Sequence, residues 1–295
     1  MQFKTRDIRS EKRRDVACTE SRDYYDCLAT TMDLFSWYSD GDIEDLVISM
    51  LTDNAQSVIE ICCGSGRLLS RLAEVRRWSQ IVGVDISDSM VHLAKMRNFK
   101  NGVSIFQSDW VSSIQEGKHF DVVIVKNALH LQNDLYRRLS EIKAIIPSFG
   151  SLIIIETISP NNVTREFIKR LFASFVPSSP KWHYFTKRSL LQNLRKAGWV
   201  INTKTDLYLH RQMLDVQKWL DAKCHTAKSR RAAETLLANA PADVRMSLAF
   251  SPSELGEVPR KMLRLQMVCR VIQNLKPQAQ EDPACTCNSQ QTILL

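Results

Sequence analysis

Two glycines and two acidic residues surround the end of a predicted strand, in an arrangement suited to binding a nucleotide. Gly64 and Gly66 follow the apolar run 57–63, which contains Glu60, and Asp85 ends the next apolar run. Glycines let the backbone turn tightly and approach a ligand, and the free N–H groups of the following helix face that ligand. A carboxylate at the end of the second strand can accept hydrogen bonds from both hydroxyls of a ribose. The pattern therefore predicts a ligand that carries a ribose.

The spacing of the glycines discriminates between nucleotide cofactors. A dinucleotide fingerprint requires a third glycine three residues after the second, and Leu69 occupies that position. NAD and FAD are therefore disfavoured. A phosphate-binding P-loop is also excluded, because Arg67 and Leu68 follow Gly66 where a Lys-Ser/Thr pair would be needed.

Alternating strands and helices are predicted to position these residues. Apolar runs rich in Val and Ile indicate strands, and the segments between them have the periodicity of helices. The first five strands lie at 57–63, 81–84, 103–107, 120–125 and 150–156, with helices at 68–78, 88–99 and 134–146. This order implies right-handed crossovers and a sheet covered on both faces. We therefore predict a doubly wound, Rossmann-like α/β fold with a mostly parallel sheet.

The C-terminal half adds two strands, which brings the predicted sheet to seven. Helices are predicted at 162–175 and 187–197, strands at 199–209 and 262–273, and a helical segment at 214–240. That segment interrupts the sheet before its last strand. The predicted organisation is a disordered basic arm at 1–20, an N-terminal helical cap at 21–50, a cofactor-binding domain at 51–276 with a helical insertion at about 212–258, and a disordered tail at 277–295.

The segment that contains the glycines resembles motif I of the class I S-adenosylmethionine (SAM) dependent methyltransferases, [DE]-x-G-x-G-x-G. Glu60, Gly64 and Gly66 match this motif, and Cys62 stands where the first glycine is usual. The ubiquinone/menaquinone methyltransferase branch shares that departure, and this chain resembles it most closely. Further matches follow in order at 82–90, 107–110, 120–130 and 150–156. The resemblance covers residues 55–157 with specific motifs and extends more loosely to 276.

The resemblance implies SAM as cofactor and S-adenosylhomocysteine (SAH) as product. Glu60 would reach the methionyl amino group, Asp85 would hold the ribose, and Asp109 would accept from the exocyclic amine of adenine. Asn127 would lie near the methionyl group and Tyr25 would close over the methyl donor. The remaining residues implied to line the cofactor site are Cys62, Gly64, Ser65, Gly66, Ile86, Met90, Ser108, Trp110 and Lys126.

Three residues are candidates for the acceptor side of the reaction. His130 follows the fourth predicted strand and could act as a general base, or it could only cap a loop. His183 and Tyr184 lie between two aromatic residues after a loop rich in Pro and Ser, and could line the acceptor pocket or anchor that loop to the core. The chemistry needs a base only when the acceptor must lose a proton.

Composition and charge limit the classes of possible partner but do not select one acceptor. The 295 residues carry a net charge of +8, and the segment 181–231 holds twelve Lys and Arg against three Asp. This charge suits a small anionic or aromatic acceptor or simple solubility, and the absence of an amino-base methyltransferase loop at 126–129 disfavours nucleic acid. RNA- or protein-directed methyl transfer and a non-catalytic partner role remain alternatives.

Apolar runs of only a few residues predict no membrane span, and no secretory signal follows the basic N-terminal residues. We therefore expect a cytoplasmic protein, a monomer or a homodimer. The eight cysteines include no C-x-x-C pair, which predicts reduced thiols and no metal site.

Overall fold

The protein is an α/β structure in which helices cover both faces of a central sheet. The computed structural model describes residues 21–29, 41–75, 77–100, 102–110, 118–176, 182–224, 226–251 and 256–273. The predicted arm at 1–20 and the predicted tail at 277–295 lie outside the described residues. Within the described ranges, no helix combines the length and the apolar character needed to cross a membrane.

Five parallel strands form the half of the sheet that carries the glycine motif. The strands are β1 Ser57–Ile61, β2 Gln80–Asp85, β3 Val103–Gln107, β4 Val122–Lys126 and β5 Ser151–Ser159, in the spatial order β3-β2-β1-β4-β5. Alternate residues of β1 contribute to different apolar clusters, with Ile59 in one and Val58 in the other. Both faces of the strand are therefore buried, as the prediction of a doubly wound sheet requires.

The helices between these strands are α3 Arg67–Val75, α4 Asp88–Lys95 and α5 Leu135–Ala144. Gly83 in β2 allows α3 to pack tightly against the sheet, since a Cβ there would lie 2.5 Å from Cδ1 of Leu69. This close approach fixes the start of α3, and with it the glycine turn that precedes the helix.

The C-terminal strand β9, Lys261–Gln273, runs antiparallel to β5 and is paired along both of its edges. Its other edge pairs with β7 Trp199–Val200 and with β8 Leu207–Asp215. The two-residue strand β6, Phe185–Thr186, pairs with the end of β5. The seven predicted strands are present, and β6 and β8 bring the number in the described residues to nine.

The prediction of one strand at 199–209, followed by a helix from 214, was wrong in its boundaries. A turn at Asn202 divides the strand, because the Asn202 carbonyl accepts from the N–H of Asp206 at 2.8 Å. The chain then re-enters the sheet as β8 and continues to Asp215. Asp215 ends the strand and caps the next helix, accepting from the N–H of Lys218 at 3.0 Å.

The helices of the C-terminal half are α6 Asn162–Ala173, α7 Lys187–Lys196, α8 Val216–Lys223, α9 Ala227–Ala238 and α10 Ala242–Ser247. All of these except α7 form a third apolar cluster above the strand ends. α6, α8, α9 and α10 contribute buried residues to this cluster, among them Leu171, Trp219, Leu237 and Val244. The predicted continuous helix at 214–240 is thus two helices.

The two N-terminal helices occupy different places in the fold. α1, Ser21–Ala29, packs on α4 and joins the third apolar cluster through Tyr24 and Leu28. α2, Gly41–Ser49, packs instead on α3 and β9. Of the helices predicted as an N-terminal cap, α1 is therefore the one that lies beside the strand ends where a ligand would bind.

Candidate active site

A cavity of about 260 Å³ opens at the carboxyl ends of β1, β2, β4 and β5. Its lower part is formed by the glycine turn and the polar residues at the strand ends. Its upper part lies between α1, α6 and α8 and is largely apolar. Because these two parts are continuous, a ligand bound at the strand ends would lie directly beside the upper part. In open α/β sheets this edge is the usual place for ligand binding.

The turn after β1 has the left-handed backbone that its glycines allow. Cys62, Gly64 and Gly66 have φ values of 57°, 54° and 75°. Glycine adopts this conformation readily, whereas a cysteine does so at a cost of about 1 kcal/mol. Residue 62 therefore has the left-handed backbone conformation that a glycine adopts more easily. Burial raises the pKa of its thiol well above the ordinary value, so Cys62 stays protonated and uncharged.

Asp85 is fixed beside this turn by two backbone hydrogen bonds. Gly64 donates its N–H to Oδ2 at 2.8 Å, and Ser87 donates its N–H to Oδ1 at 2.9 Å. Burial raises the pKa of Asp85, and these two hydrogen bonds partly offset that effect. Each carboxylate oxygen can accept more than one hydrogen bond, so Asp85 can still bind the two hydroxyls of a ribose.

Glu60 is buried in β1 with an unsatisfied carboxyl oxygen. Burial raises its pKa to about 8, Lys126 acts against this rise, and Glu44 and Asp85 add to it. Among the described residues, Oε2 of Glu60 finds no hydrogen-bond partner. A cationic amino group at this position would satisfy the oxygen and stabilise the carboxylate. The site therefore fits the methionyl end of the SAM that the sequence predicts.

Residues predicted to contact adenine divide into two groups. Ile86 and Met90 line the cavity. Ser108, Asp109 and Trp110 are not among the residues that line it. The Asp109 side chain is 60% exposed and binds Arg138 at 3.0 Å, and Trp110 is buried against the same arginine. A contact between Asp109 and adenine stays a prediction, since the following residues 111–117 lie outside the described ranges.

Asn127 follows β4 and is held by one side chain of β5 and one of β9. It has a φ of 51°. Its Oδ1 accepts from the hydroxyl of Thr157 in β5 at 3.0 Å and from Nε2 of Gln266 in β9 at 3.3 Å. Because the carbonyl oxygen is engaged, the amide nitrogen is the group that Asn127 can offer to a ligand. Lys126 and Asn127 both line the cavity, as the sequence predicts for cofactor-binding residues.

His130 and Glu156 form a hydrogen-bonded pair at the junction of the two parts of the cavity. His130 lies in a 3-10 helix at Leu129–Leu131, and its Nδ1 is 2.9 Å from Oε1 of Glu156. The carboxylate also accepts from the N–H of Thr157 at 2.9 Å and from that of His130 at 3.3 Å. Glu156 is fully buried, whereas the His130 side chain is 19% exposed. Glu156 therefore orients the imidazole ring, and the ring remains accessible from the cavity.

Aromatic side chains form the wall of the upper part. Trp182 lies against His130 with ring centroids 5.5 Å apart, and Phe172 lies 6.0 Å from Trp219 and 6.1 Å from Tyr184. Tyr25 and His183 also line this part, together with the buried Tyr24. His183 stacks on Phe185 and donates its backbone N–H to the His130 carbonyl at 2.7 Å. Of the three acceptor-side candidates, His130 is the one that lies beside a carboxylate.

The sequence analysis did not identify Glu156 as a site residue. It also did not identify Asp26, which accepts a hydrogen bond from the Ser87 hydroxyl at the start of α4. Glu156 ends the run Ile153-Ile-Ile-Glu, where an acidic residue follows three apolar residues of a central strand. That position is a signal, because a carboxylate is rarely buried without a functional partner. Asp26 carries no such signal, since it is one of several charged residues in α1.

The described residues contain no group of three His, Cys, Asp or Glu side chains placed to hold a metal ion. Within the same ranges, disulfide bonds join none of the cysteines, which are Cys27, Cys62, Cys63, Cys224 and Cys269.

Comparison with known proteins identifies a family for the part of the chain that supplies most of this site. The model of a methyltransferase domain family matches residues 52–205. The chain is 24% identical over 155 residues to a demethylmenaquinone methyltransferase of Lactococcus lactis, covering 51% of this chain and 59% of that protein. It is 30% identical over 105 residues to a protein-lysine N-methyltransferase of Saccharomyces cerevisiae, covering 32% of this chain and 46% of that protein. The chain thus spans less than two thirds of the length of these relatives.

A solved structure of the YcgJ protein from Bacillus subtilis has the same fold. It superimposes with a TM-score of 0.70 at 16% sequence identity, over 80% of this chain and 100% of that chain.

Proposed function

The chain belongs to the methyltransferase domain family that matches residues 52–205, and from this premise we propose that it transfers a methyl group from SAM to a small molecule. The acceptor would have an apolar, aromatic body and would bind in the upper part of the cavity. The observation that carries the proposal is this aromatic chamber, enclosed by α1, α6 and α8 and continuous with the polar crevice at the strand ends.

The residues of the crevice support SAM as the methyl donor. Asp85 would bind the ribose, Glu60 the amino group, and the backbone of Gly64–Gly66 would lie under the methionyl part. Ile86 and Met90 would contact the adenine. When bound, SAM supplies a methyl group attached to a positively charged sulfur. The protein then has to align the acceptor and exclude water, and correct alignment is the larger part of catalysis for such a displacement.

The composition of the chamber supports a small aromatic acceptor. Phe172, Trp182 and Trp219 provide flat apolar surfaces suited to an aromatic ring. Lys223 and Arg264 also line the cavity and are suited to an anionic substituent.

Transfer to a protein is the alternative, since a protein-lysine N-methyltransferase is among the relatives. The basic segment 181–231 would then bind the macromolecular acceptor. Part of its charge is already neutralised within the fold, however. Arg230 binds Asp221, and it binds Glu234 at 2.8 Å. This internal pairing favours the small-molecule proposal.

The proposal is tested by incubating the protein with SAM labelled at the methyl group and four acceptors. These are 1-naphthol, 1-naphthylamine, a lysine-rich peptide and a mixed RNA. We expect SAH formation with a naphthalene compound, and none above background with the peptide or the RNA. The Asp85→Ala variant should abolish turnover at low SAM concentration, with Asp88→Ala as the exposed control. Methylation of the peptide or RNA alone would contradict the small-molecule proposal.

A further inference from the structure

We propose that Glu156 is a positioning residue that makes His130 the proton acceptor for a phenolic hydroxyl. This inference rests on the proposed function and deepens it, because it specifies the class of acceptor. His130 would accept the proton at Nε2, while Glu156 would hold Nδ1. Neither residue of the pair belongs to the glycine turn or to the residues that would bind SAM.

The hydrogen bonds around Glu156 determine which nitrogen of His130 carries the proton. An ionised carboxylate only accepts hydrogen bonds, so the Nδ1 atom at 2.9 Å from Oε1 must be the donor. In neutral histidine the other ring nitrogen is then an acceptor with a free lone pair. Nε2 of His130 is therefore a base in the form that can take a proton from a ligand.

The burial of Glu156 also favours a role in proton transfer. The side chain is fully buried, and its ion-pair partner within the described residues is His130. An isolated buried carboxylate is costly, and this cost falls when the neighbouring imidazole becomes charged. Glu156 therefore stabilises His130 most strongly after His130 has accepted a proton, which is what a catalytic base requires.

His130 is held at both its side chain and its backbone. The ring lies at 70° to Trp182 with centroids 5.5 Å apart, and the carbonyl oxygen accepts from the N–H of His183 at 2.7 Å. The backbone N–H donates to Glu156 at 3.3 Å. These contacts leave the ring little freedom to rotate away from the cavity.

The need for a base indicates the chemical class of the acceptor. A neutral amine already has the lone pair that attacks the methyl group, whereas a phenol is a weak nucleophile until it loses its proton. In the reaction the O–H bond breaks and the proton passes to Nε2 of His130. The oxygen forms the new bond to the methyl carbon, and the electrons of the broken carbon–sulfur bond remain on sulfur in SAH. The pair His130–Glu156 therefore points to a hydroxyl acceptor.

The first test reads the tautomer directly and requires no ligand or turnover. In the full chain labelled with ¹⁵N at histidine, long-range proton–nitrogen correlations at alkaline pH distinguish Nδ1–H from Nε2–H. His130→Gln assigns the signals, and His119, which is exposed, serves as the internal reference. We expect Nδ1–H for His130 in the wild type. An Nε2–H tautomer at His130 would overturn the proposal, whether or not the protein methylates any of the probes.

The second test separates positioning from binding. Glu156→Gln keeps the shape of the side chain and removes its charge, so the protein should still fold. We expect kcat for 1-naphthol to fall by about 100-fold, within the range seen for loss of general base catalysis. SAH affinity and KM for 1-naphthol should change less than twofold. Turnover of 1-naphthylamine, which has the same shape and needs no base, should be retained.

The matched control is Glu166→Gln, which removes an exposed acidic side chain of α6 that pairs with Arg165 at 3.1 Å. It should leave both acceptors unaffected. Equal loss of 1-naphthol and 1-naphthylamine turnover in Glu156→Gln would show a merely structural role and overturn the proposal. If neither naphthalene compound is methylated by the wild type, the proposed function fails on these probes, and the tautomer measurement still decides the role of Glu156.

Discussion

Asp26 of α1 accepts a hydrogen bond from the hydroxyl of Ser87, whose own backbone N–H donates to Asp85. Asp26 also accepts from the N–H of Ser89 at 3.3 Å. Ser87 is the N-cap of α4, so Asp26 adds a second acceptor to the start of that helix. The N-terminal helix is therefore joined to the carboxylate that would bind the ribose. Closure of α1 and binding of the cofactor should be coupled through Ser87.

The first prediction concerns this link. Asp26→Ala should weaken SAH binding by about fivefold, since loss of a capping acceptor costs about 1 kcal/mol. Amides of α1 should exchange with solvent faster in the variant. Calorimetric titration and hydrogen exchange measure the two effects. Asp23→Ala is the control, because Asp23 is an exposed acid of the same helix. Equal effects of the two substitutions would show that only the charge of α1 matters.

The second prediction concerns α1 as a lid. Tyr24 and Tyr25 line the cavity, so bound SAH should slow exchange in residues 21–29. Hydrogen exchange of peptides with and without SAH measures this change. Phe35 and Trp37, which belong to the predicted N-terminal cap, lie outside the described residues. Unchanged exchange at 21–29 would mean that α1 is a fixed part of the core and that Tyr25 does not move over the donor.

The third prediction tests the ribose carboxylate. Asp85→Ala should reduce SAH affinity by about 30- to 150-fold, because two charge-assisted hydrogen bonds contribute roughly 2 to 3 kcal/mol. Asp109→Ala, measured in the same way, asks whether the adenine contact exists. A marked loss of affinity in Asp109→Ala would support that contact despite the pairing of Asp109 with Arg138. Wild-type affinity in Asp85→Ala would contradict the assignment of the ribose site.

The fourth prediction follows from the raised pKa of Glu60. Burial raises this pKa from 4.5 to about 8, so the folded protein retains a proton that the unfolded chain has released. Glu60 thus contributes stability that is present below pH 4.5 and is lost as the pH rises through 8. Glu60→Gln should become more stable than the wild type on moving from pH 5 to pH 9, by about 2 to 4 kcal/mol. Urea unfolding at both pH values measures the difference.

The same variant should bind SAH about 10- to 100-fold more weakly, since the amide cannot pair with the amino group as a charge. Gain of stability and loss of affinity together would identify Glu60 as a binding residue held at a cost to the fold. Tighter binding in Glu60→Gln would contradict this role.

The fifth prediction addresses nucleic acid. Filter binding of mixed RNA over a salt series should give weak binding with a shallow log–log slope, because part of the charge of 181–231 is paired internally. A slope steeper than about −4 would mean that several phosphates are contacted. That result would favour an RNA acceptor.

The first five strands were predictable because their signals are local. β1, β2, β4 and β5 are rich in Val and Ile and largely buried, as in Val122–Lys126. β3 is an edge strand in which Ile105 is the buried residue. The boundaries of β7 and β8 were not predictable in the same way. Leu214 and Val216 suit either a strand or a helix, and only the pairing of Asp215 with Lys261 of β9 keeps residue 215 in the sheet.

The site was predictable where one stretch of chain supplies the geometry, as in the Gly64–Gly66 turn. It was not predictable where two distant residues must meet. His130 and Glu156 are 26 positions apart, and Asp26 and Ser87 are 61 apart. Neither pair has a fixed spacing, because the relation arises only when strands and helices pack together. The sequence offered His130 as a candidate base but could not provide the carboxylate that orients it.

The position of β9 between β5 and the strands β7 and β8 has a consequence for biosynthesis. β5 remains an open edge until residues 261–273 have left the ribosome, because β9 alone pairs with most of that edge. Up to then the nascent chain exposes a long run of Ile residues in strand conformation, which favours misassociation with other chains. The cofactor crevice can form early on the ribosome, whereas the acceptor chamber is completed only when β9 and β8 have joined. Chains that stall before residue 261 should therefore depend on chaperones more than the finished protein does.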